Sequence, residues 1–234
     1  MIDFHSHILP YIDDGSKSIQ QSDAMLELLC ASGVKKVVFT PHFYPYNDDL
    51  DRFLHRRDEA YKRLLNEAAS HNLDYVLGAE VLYYKGISRS HNIKKLCIEG
   101  TDLLLLEMPF FGWNSNEKKE IEGLVEEMPY TVILAHIERY MDFEDNFDFI
   151  LDLKAKGLIT QINASFVAEK RTTKKAIKLI KNGCVDIIAS DSHDLDSRRP
   201  QFNEAFSIIE KKLNVSVVER LMENSDIIFR EHSK

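Results

Sequence analysis

The sequence predicts an α/β fold with parallel strands, either a doubly wound sheet or a closed barrel, and three observations carry that expectation. Short apolar runs rich in β-branched residues recur seven times, amphipathic stretches with helical spacing separate them, and 234 residues suit one barrel-sized domain over 1–234. Alternation of this kind produces parallel neighbours joined by crossover helices, since parallel strands cannot be linked by a tight hairpin. A chain of this length buries a sizeable core in surface-to-volume terms.

In chain order, strands are expected at residues 2–4, 35–40, 75–79, 102–106, 130–135, 158–163 and 185–189. Runs that are apolar throughout, without strict alternation, mark strands covered on both faces. Helical spacing is found at 22–32, 50–71, 117–127, 147–156 and 172–182, and two further helices, 202–213 and 215–224, close the chain. Gly33, Gly157 and Gly183 punctuate helix ends. Segments 83–92 and 110–116 read as loops, the second carrying the only tryptophan, Trp113. No linker, low-complexity tract or repeat interrupts the chain.

Composition removes several classes. With 44% hydrophobic and 29% charged residues, 9 glycines and 6 prolines, the chain is neither collagen-like nor disordered. A formal charge of −8 argues against broad binding to nucleic acid or anionic membrane. The three cysteines, Cys30, Cys97 and Cys184, are odd in number and set among apolar neighbours, which predicts small buried hydrophobes in a reducing compartment. No basic and apolar leader opens the sequence, and its longest apolar run, 103–106, is too short to span a bilayer, so the expected location is cytoplasmic without membrane insertion.

The residues at the strand ends are more informative. The first strand runs into His5 and His7, the second into His42, the third into Glu80, the fourth into Glu107, the fifth into His136, and the seventh into Asp191 and His193. In parallel α/β folds the carboxyl ends of the strands share one rim, where active sites assemble. His5 and His7 are two residues apart, as are Asp191 and His193, so each pair faces the same side of extended chain. Asp3 falls on that face too, either orienting an imidazole or serving as a buried structural acid. Asp13, Asp14 and Gly15 form an acidic turn whose oxygens suit a hard ion. His55, His71, His91 and His232 lie in segments expected to be solvated.

Imidazole and carboxylate ligands without cysteine favour Mn²⁺, Fe²⁺, Zn²⁺ or Mg²⁺. So many ligands imply two or three ions, with a carboxylate such as Glu107 bridging, and such sites hydrolyse phosphoesters or amides by activating water to hydroxide. Three divalent ions would raise the formal charge from −8 to about −2. Arg139 and Arg198 fall on the same rim, with Arg199 adjoining, and guanidinium groups grip phosphate in a bidentate fork. Glycine-rich phosphate loops and nucleophile elbows are missing, and Ser165, Ser190 and Ser192 read as polar fillers.

These residues match a known pattern. His5-Ser-His7-x-Leu-Pro with Asp13-Asp14-Gly15, Thr40-Pro41-His42, Gly78-x-Glu80, Glu107-x-Pro109, Ala135-His136-x-Glu-Arg139 and Ser190-Asp191-x-His193 resemble the polymerase and histidinol phosphatase (PHP) superfamily. Within it the chain looks like the CpsB/CapC-type tyrosine-protein phosphatase branch linked to bacterial capsular and exopolysaccharide synthesis. The resemblance implies a distorted barrel of seven parallel strands, TIM-like, with three divalent ions, most often manganese, at the carboxyl ends of the strands. It gives His5, His7, Glu107 and Asp191 to one ion, Asp14, His42 and His193 to another, and Glu80, Glu107 and His136 to the third. Arg139 and Arg198 take the place of phosphate-binding arginines, and the implied substrate is the phosphotyrosine tail of a bacterial tyrosine kinase. The alternatives are another PHP phosphoesterase, such as a histidinol phosphatase, and a non-catalytic module that binds a phosphopeptide.

Overall fold

The computed structural model describes the backbone of residues 1–234 and all side chains except those of His91 and Glu144, so the surface position expected for His91 lies outside the described residues. Nine parallel strands make seven staves. β1 (Ile2–Ser6) is the first; β2 (Lys36–Phe39) and β3 (His42–Phe43) form the second, β4 (Asp74–Leu77) and β5 (Glu80–Leu82) the third. β6 (Leu103–Glu107), β7 (Thr131–Leu134), β8 (Ile159–Asn163) and β9 (Ile187–Ala189) complete the set. Pro41 lacks an N–H for the ladder, and the second stave breaks there.

One sheet runs β1-β2-β4 and the other β3-β5-β6-β7-β8-β9, so the broken staves pass from one sheet to the other. The ring closes between the last stave and the first. Asp191 N donates to His5 O at 2.8 Å and His7 N to Ser192 O at 2.9 Å. The expectation of a distorted seven-strand parallel barrel is therefore met, and the doubly wound alternative is set aside.

Alternation along the staves divides the core in two. Leu104, Leu106, Val132 and Leu134 pack outward in the large layer under the helices. Leu103, Leu105, Ile133 and Ala135 join Ile2, Phe4, Val38, Ile159 and Ile187 in a second cluster that fills the barrel. Continuing this parity past the ends of the strands carries Glu107 and His42 toward the inner side.

The helices are α1 (Ile19–Ala31), α2 (Leu50–Glu67), α3 (Ser115–Glu126), α4 (Glu144–Lys154), α5 (Ala164–Ala168), α6 (Thr173–Lys181), α7 (Phe202–Lys212) and α8 (Val215–Glu231). Side-chain caps fix their starts: Ser18 on α1, Asp49 on α2 and an Asn114/Glu117 capping box on α3. Two ends depart most from the sequence expectation, and one helix, α5, is not among the expected ones. α2 stops four residues short of 71, where Asp23 accepts from Ala69 N and pairs with His71. α8 continues seven residues past 224 because Ile228 and Phe229 pack under the inner cluster, and burial there outweighs the weak helix propensity of Asn224, Ser225 and Asp226. α5, one short turn after β8, has no periodic signature of its own. Segment 83–92 includes the 3₁₀ turn Ile87–Arg89. Among the described residues, no helix is long and apolar enough to cross a membrane.

Candidate metal centre

The strand-end residues converge on one pocket of about 200 Å³, lined by Asp14, His42, Tyr44, Glu80, Glu107, Phe110, His136, Arg139, Asp191 and Arg198. His5, His7 and His193 lie beneath it and are almost fully buried. His5 and His7 meet through their Nε2 atoms at 3.1 Å, as their spacing predicts. Asp191 Oδ1 and His193 Nδ1 lie 3.5 Å apart.

Glu80 is the hub. Its Oε2 lies 3.3 Å from His5 Nε2, 3.2 Å from His7 Nε2 and 2.8 Å from His42 Nδ1. Its Oε1 lies 2.9 Å from His136 Nε2, which is 3.3 Å from Glu107 Oε1. Asp14, largely exposed, reaches His42 Nε2 at 3.3 Å and His193 Nε2 at 3.4 Å. By distance the ligand-type atoms fall into three groups: His7, Asp14, His42 and His193; His5, His7 and Glu80; and His42, Glu80 and Glu107. This division places His7 beside Asp14 and Glu80 between His5 and His7, whereas the sequence expectation pairs His5 and His7 with Glu107 and Asp191.

Backbone irregularities aim these groups. His136 has the parity of the outward-facing residues of β7, and its left-handed φ of 34° turns the ring inward. Asp191 is left-handed as well, at 48°. In β1 the register with β2 shifts between Asp3 and Ser6, which lets Phe4 fill the barrel while His5 reaches the pocket. The turn after β1 passes tightly over His7. A Cβ on Gly15 would stand 2.1 Å from the His7 carbonyl oxygen and 2.6 Å from its Cβ. Gly15→Ala is expected to cost about 3 kcal/mol, read as a Tm lower by roughly 6–12 °C, and to weaken metal binding through His7. A variant that melts with the wild type would show the contact to be unimportant.

The polar groups that hold the rings are mostly ones without a mark in the sequence. Asp13 Oδ2 takes His7 Nδ1 at 2.8 Å and accepts from His42 N at 3.0 Å, while its Oδ1 accepts from Gly15 N. Gln161 Oε1 accepts from His136 N at 2.8 Å and lies 3.3 Å from His5 Nδ1. Its amide donates to Asn163, whose own amide donates to Asp191 at 2.7 Å. Alternation along β8, which puts positions 161 and 163 on one face, is the only signal that could have found them. Asp3 orients no imidazole: its Oδ1 accepts from Ser190 N at 2.9 Å and from His5 N, so the structural reading holds.

Of the arginines, Arg198 places Nη2 3.1 Å from both oxygens of Asp191, and Arg139 reaches the same carboxylate at 3.5 Å. Arg199 turns away to Glu204 on α7, so Arg198 is the one at the pocket. Ser190 donates to His5 O and accepts from Ser192 N, as expected of polar fillers. Cys97 and Cys184 are buried and Cys30 is half-buried, all three free and none in the pocket lining. His71 and His232 pair with Asp23 and Asp102 instead of standing free in solvent.

The electrostatics fit a cation site. Burial works against a charged His42, but the carboxylates of Asp14 and Glu80 beside its ring, with Asp13 nearby, outweigh it and push the pKa up to about 11. The same contest, won by Asp13 and Glu80 at His7 and by Glu107 and Glu80 at His136, leaves both at about 9. Glu80 would be raised by burial, yet the surrounding imidazoles hold it well below the ordinary range. His42 Nδ1, Glu80 Oε2 and His193 Nε2 are nonetheless buried without a hydrogen-bond partner. Buried atoms are rarely left so, and unpartnered imidazole and carboxylate atoms within these groups are what divalent ions would satisfy.

A sequence profile of the family described as "Capsular polysaccharide synthesis, CpsB/CapC" matches residues 1–230. The chain is 30% identical over 238 residues to the tyrosine-protein phosphatase CpsB of Streptococcus pneumoniae, covering 94% of each chain. It is 26% identical to the tyrosine-protein phosphatase YwqE of Bacillus subtilis, covering all of this chain and 93% of the relative. Among solved structures, one of YwqE from B. subtilis and CpsB from S. pneumoniae, described as unique metal-dependent tyrosine phosphatases, superposes with a TM-score of 0.82 at 24% identity, covering 100% of this chain and 96% of that one. A β-aspartyl dipeptidase of Fervidobacterium islandicum AW-1 shares the barrel at a TM-score of 0.56 and 14% identity, covering 94% of this chain and 71% of that one. With the family profile matched almost end to end, the chain belongs to the CpsB/CapC family of capsular polysaccharide synthesis.

Proposed function

We propose that this chain is a metal-dependent protein-tyrosine phosphatase that acts in the cytoplasm on phosphotyrosine of a bacterial tyrosine kinase and so regulates capsular or exopolysaccharide synthesis. The observation that carries this reading is the convergence of nine ligand-type side chains and two arginines on one pocket. His5, His7, Glu107 and Asp191 are assigned to one ion, Asp14, His42 and His193 to a second, and Glu80, Glu107 and His136 to a third, with Mn²⁺ the favoured metal. Bound there, divalent ions supply Lewis acidity at the phosphoryl group and a hydroxide near neutral pH.

The chain itself does the rest. Asp13 fixes the orientation of His7 through Nδ1, leaving Nε2 for the pocket, and Gln161 does the same for His5. Arg139 and Arg198 meet the non-bridging oxygens of the phosphate, whose charge grows as the phosphoryl group transfers. No residue in the pocket lining is a cysteine, so a phosphocysteine route has no nucleophile.

The rim favours a protein substrate over a small phosphorylated metabolite. Tyr11, Tyr44, Tyr46, Phe110, Phe111 and Leu195 are exposed large hydrophobics on the segments that follow the strands. Apolar side chains presented on several loops of the rim suit contact with a macromolecule. Metal-loaded protein is expected to release phosphate from a phosphotyrosyl peptide with kcat/KM about 100-fold above that for histidinol phosphate, about 2.7 kcal/mol of transition-state discrimination. The opposite preference would move the chain to the histidinol phosphatase branch, and tight peptide binding without release would make it a reader.

The raised imidazoles predict a proton count. His7, His42 and His136 hold protons at pH 7.5 in metal-free protein, because pKa values of about 9, 11 and 9 lie above that pH. Ions must displace those protons, so binding tightens as pH rises from 6.5 to 9. Calorimetric titration in buffers of different ionisation heat is expected to show two to three protons released at pH 7.5; heats independent of buffer would contradict the ligand assignment. The same sign applies to stability. The favourable charge of these rings is fully present below about pH 6.5 and is lost through about pH 9 for His7 and His136 and about pH 11 for His42, so the Tm of metal-free protein falls across that window.

A further inference from the structure

Beside the metal pocket lies a second cavity of about 480 Å³, lined by Ile12, Asp13, Asp14, His42, Tyr44, Asn47, Asp48, Arg52 and Arg56. The two share Asp14, His42 and Tyr44, so a molecule held in one extends directly into the other. Tyr44 stacks on His42 with ring centroids 4.9 Å apart and forms the wall where they join. Arg52 and Arg56 stand one turn apart on α2 and line this cavity but not the metal pocket.

The charges along this cavity are already committed, with one exception. Asp13 serves His7, His42 and Gly15; Asp14 serves His42, His193 and Arg198. Asp48 pairs with Arg56. Arg52 is exposed, and among the described residues its guanidinium has no acidic partner. The open charge of the cavity is therefore positive, although three aspartates line it.

We infer that this cavity is a substrate subsite in which Arg52 receives the carboxylate of an acidic residue flanking the phosphotyrosine. This rests on the phosphatase reading and names a preference within it. Asn47 adds an amide for the peptide backbone. Arg52 is a specificity residue; it stands outside the group that touches the phosphate.

The test uses metal-loaded protein and two phosphotyrosyl peptides of equal length, one with glutamates and one with lysines around the phosphotyrosine. Wild type is expected to favour the glutamate peptide about fivefold in kcat/KM, mostly through KM, a size consistent with a part-exposed charge pair. Arg52→Ala brings the ratio to about one, and Arg52→Glu reverses it. Reading the ratio cancels any change in metal loading or folding. Binding of both peptides by fluorescence polarisation runs alongside. An equal affinity and an equal kcat/KM for the two peptides in wild type overturn the subsite, as does a preference that survives in both variants. Absence of phosphate release with the glutamate preference intact in binding overturns the phosphatase reading and leaves the subsite standing.

Discussion

Stripping divalent ions from the protein is expected to lower phosphate release from a phosphotyrosyl peptide by at least about 1000-fold, and returning Mn²⁺ to restore it. That factor corresponds to about 4 kcal/mol of lost transition-state stabilisation. The size is set by the groups that remain in the pocket without ions. Arg139 and Arg198 would still offer a phosphate their guanidinium groups, but no cysteine or serine lines the pocket to attack it. Ser190 and Ser192 are spent on each other and on the backbone of His5. The three cysteines lie elsewhere, so a thiol alkylator should leave the metal-loaded rate unchanged. Full hydrolysis by protein shown metal-free by elemental analysis would sink the mechanism.

Glu80→Gln is expected to lower kcat about 100- to 1000-fold at saturating Mn²⁺ and to remove at least one bound ion. Glutamine keeps the volume and removes the charge, so packing is not the variable. Glu80 alone touches His5, His7, His42 and His136. Losing it leaves those imidazoles without their central counter-charge, and removing one partner of a buried ion pair costs about 3–5 kcal/mol. The metal-free variant should therefore also melt lower, with fewer protons released on ion binding. Glu122→Gln, which removes a surface partner of Lys156 on α3, is the control and should change neither quantity. Wild-type metal content and kcat in Glu80→Gln would remove Glu80 from the centre of the site.

Much of this site was legible because chemistry and topology coincide. A parallel barrel gathers the residues at the ends of its strands, so His5, His42, Glu80, Glu107, His136 and Asp191 could be placed on one rim from order alone. Spacing of two residues was enough to pair His5 with His7. The supporting groups were harder to read, since Gln161 and Asn163 are ordinary polar residues inside a strand and their role exists only once β8 faces β1 and β9. Asp13 was visible only as part of a turn, though it holds His7 and the backbone of His42. The choice between Arg198 and Arg199 depended on Glu204, five residues further on, in a helix whose orientation local sequence does not set. The length of α8 depended likewise on burial of Ile228 and Phe229 across the barrel floor.

The seam between the last stave and the first sets the order in which the site comes into being. His5 and His7 are synthesised before Asp191 and His193, which lie more than 180 residues further along the chain. The ends of the chain then lock together, with the Met1 ammonium 3.3 Å from Asp226 and Ile2 N donating to Ser225 on α8 at 3.0 Å. Contacts so distant in sequence carry a large loop-closure cost, so ring closure is expected late in folding. A nascent or truncated chain ending before β9 holds His5 and His7 without the opposite bank of the seam. The site is therefore complete only once β9 has joined β1, and a divalent ion held by His7 and His193 together would fasten the closed ring.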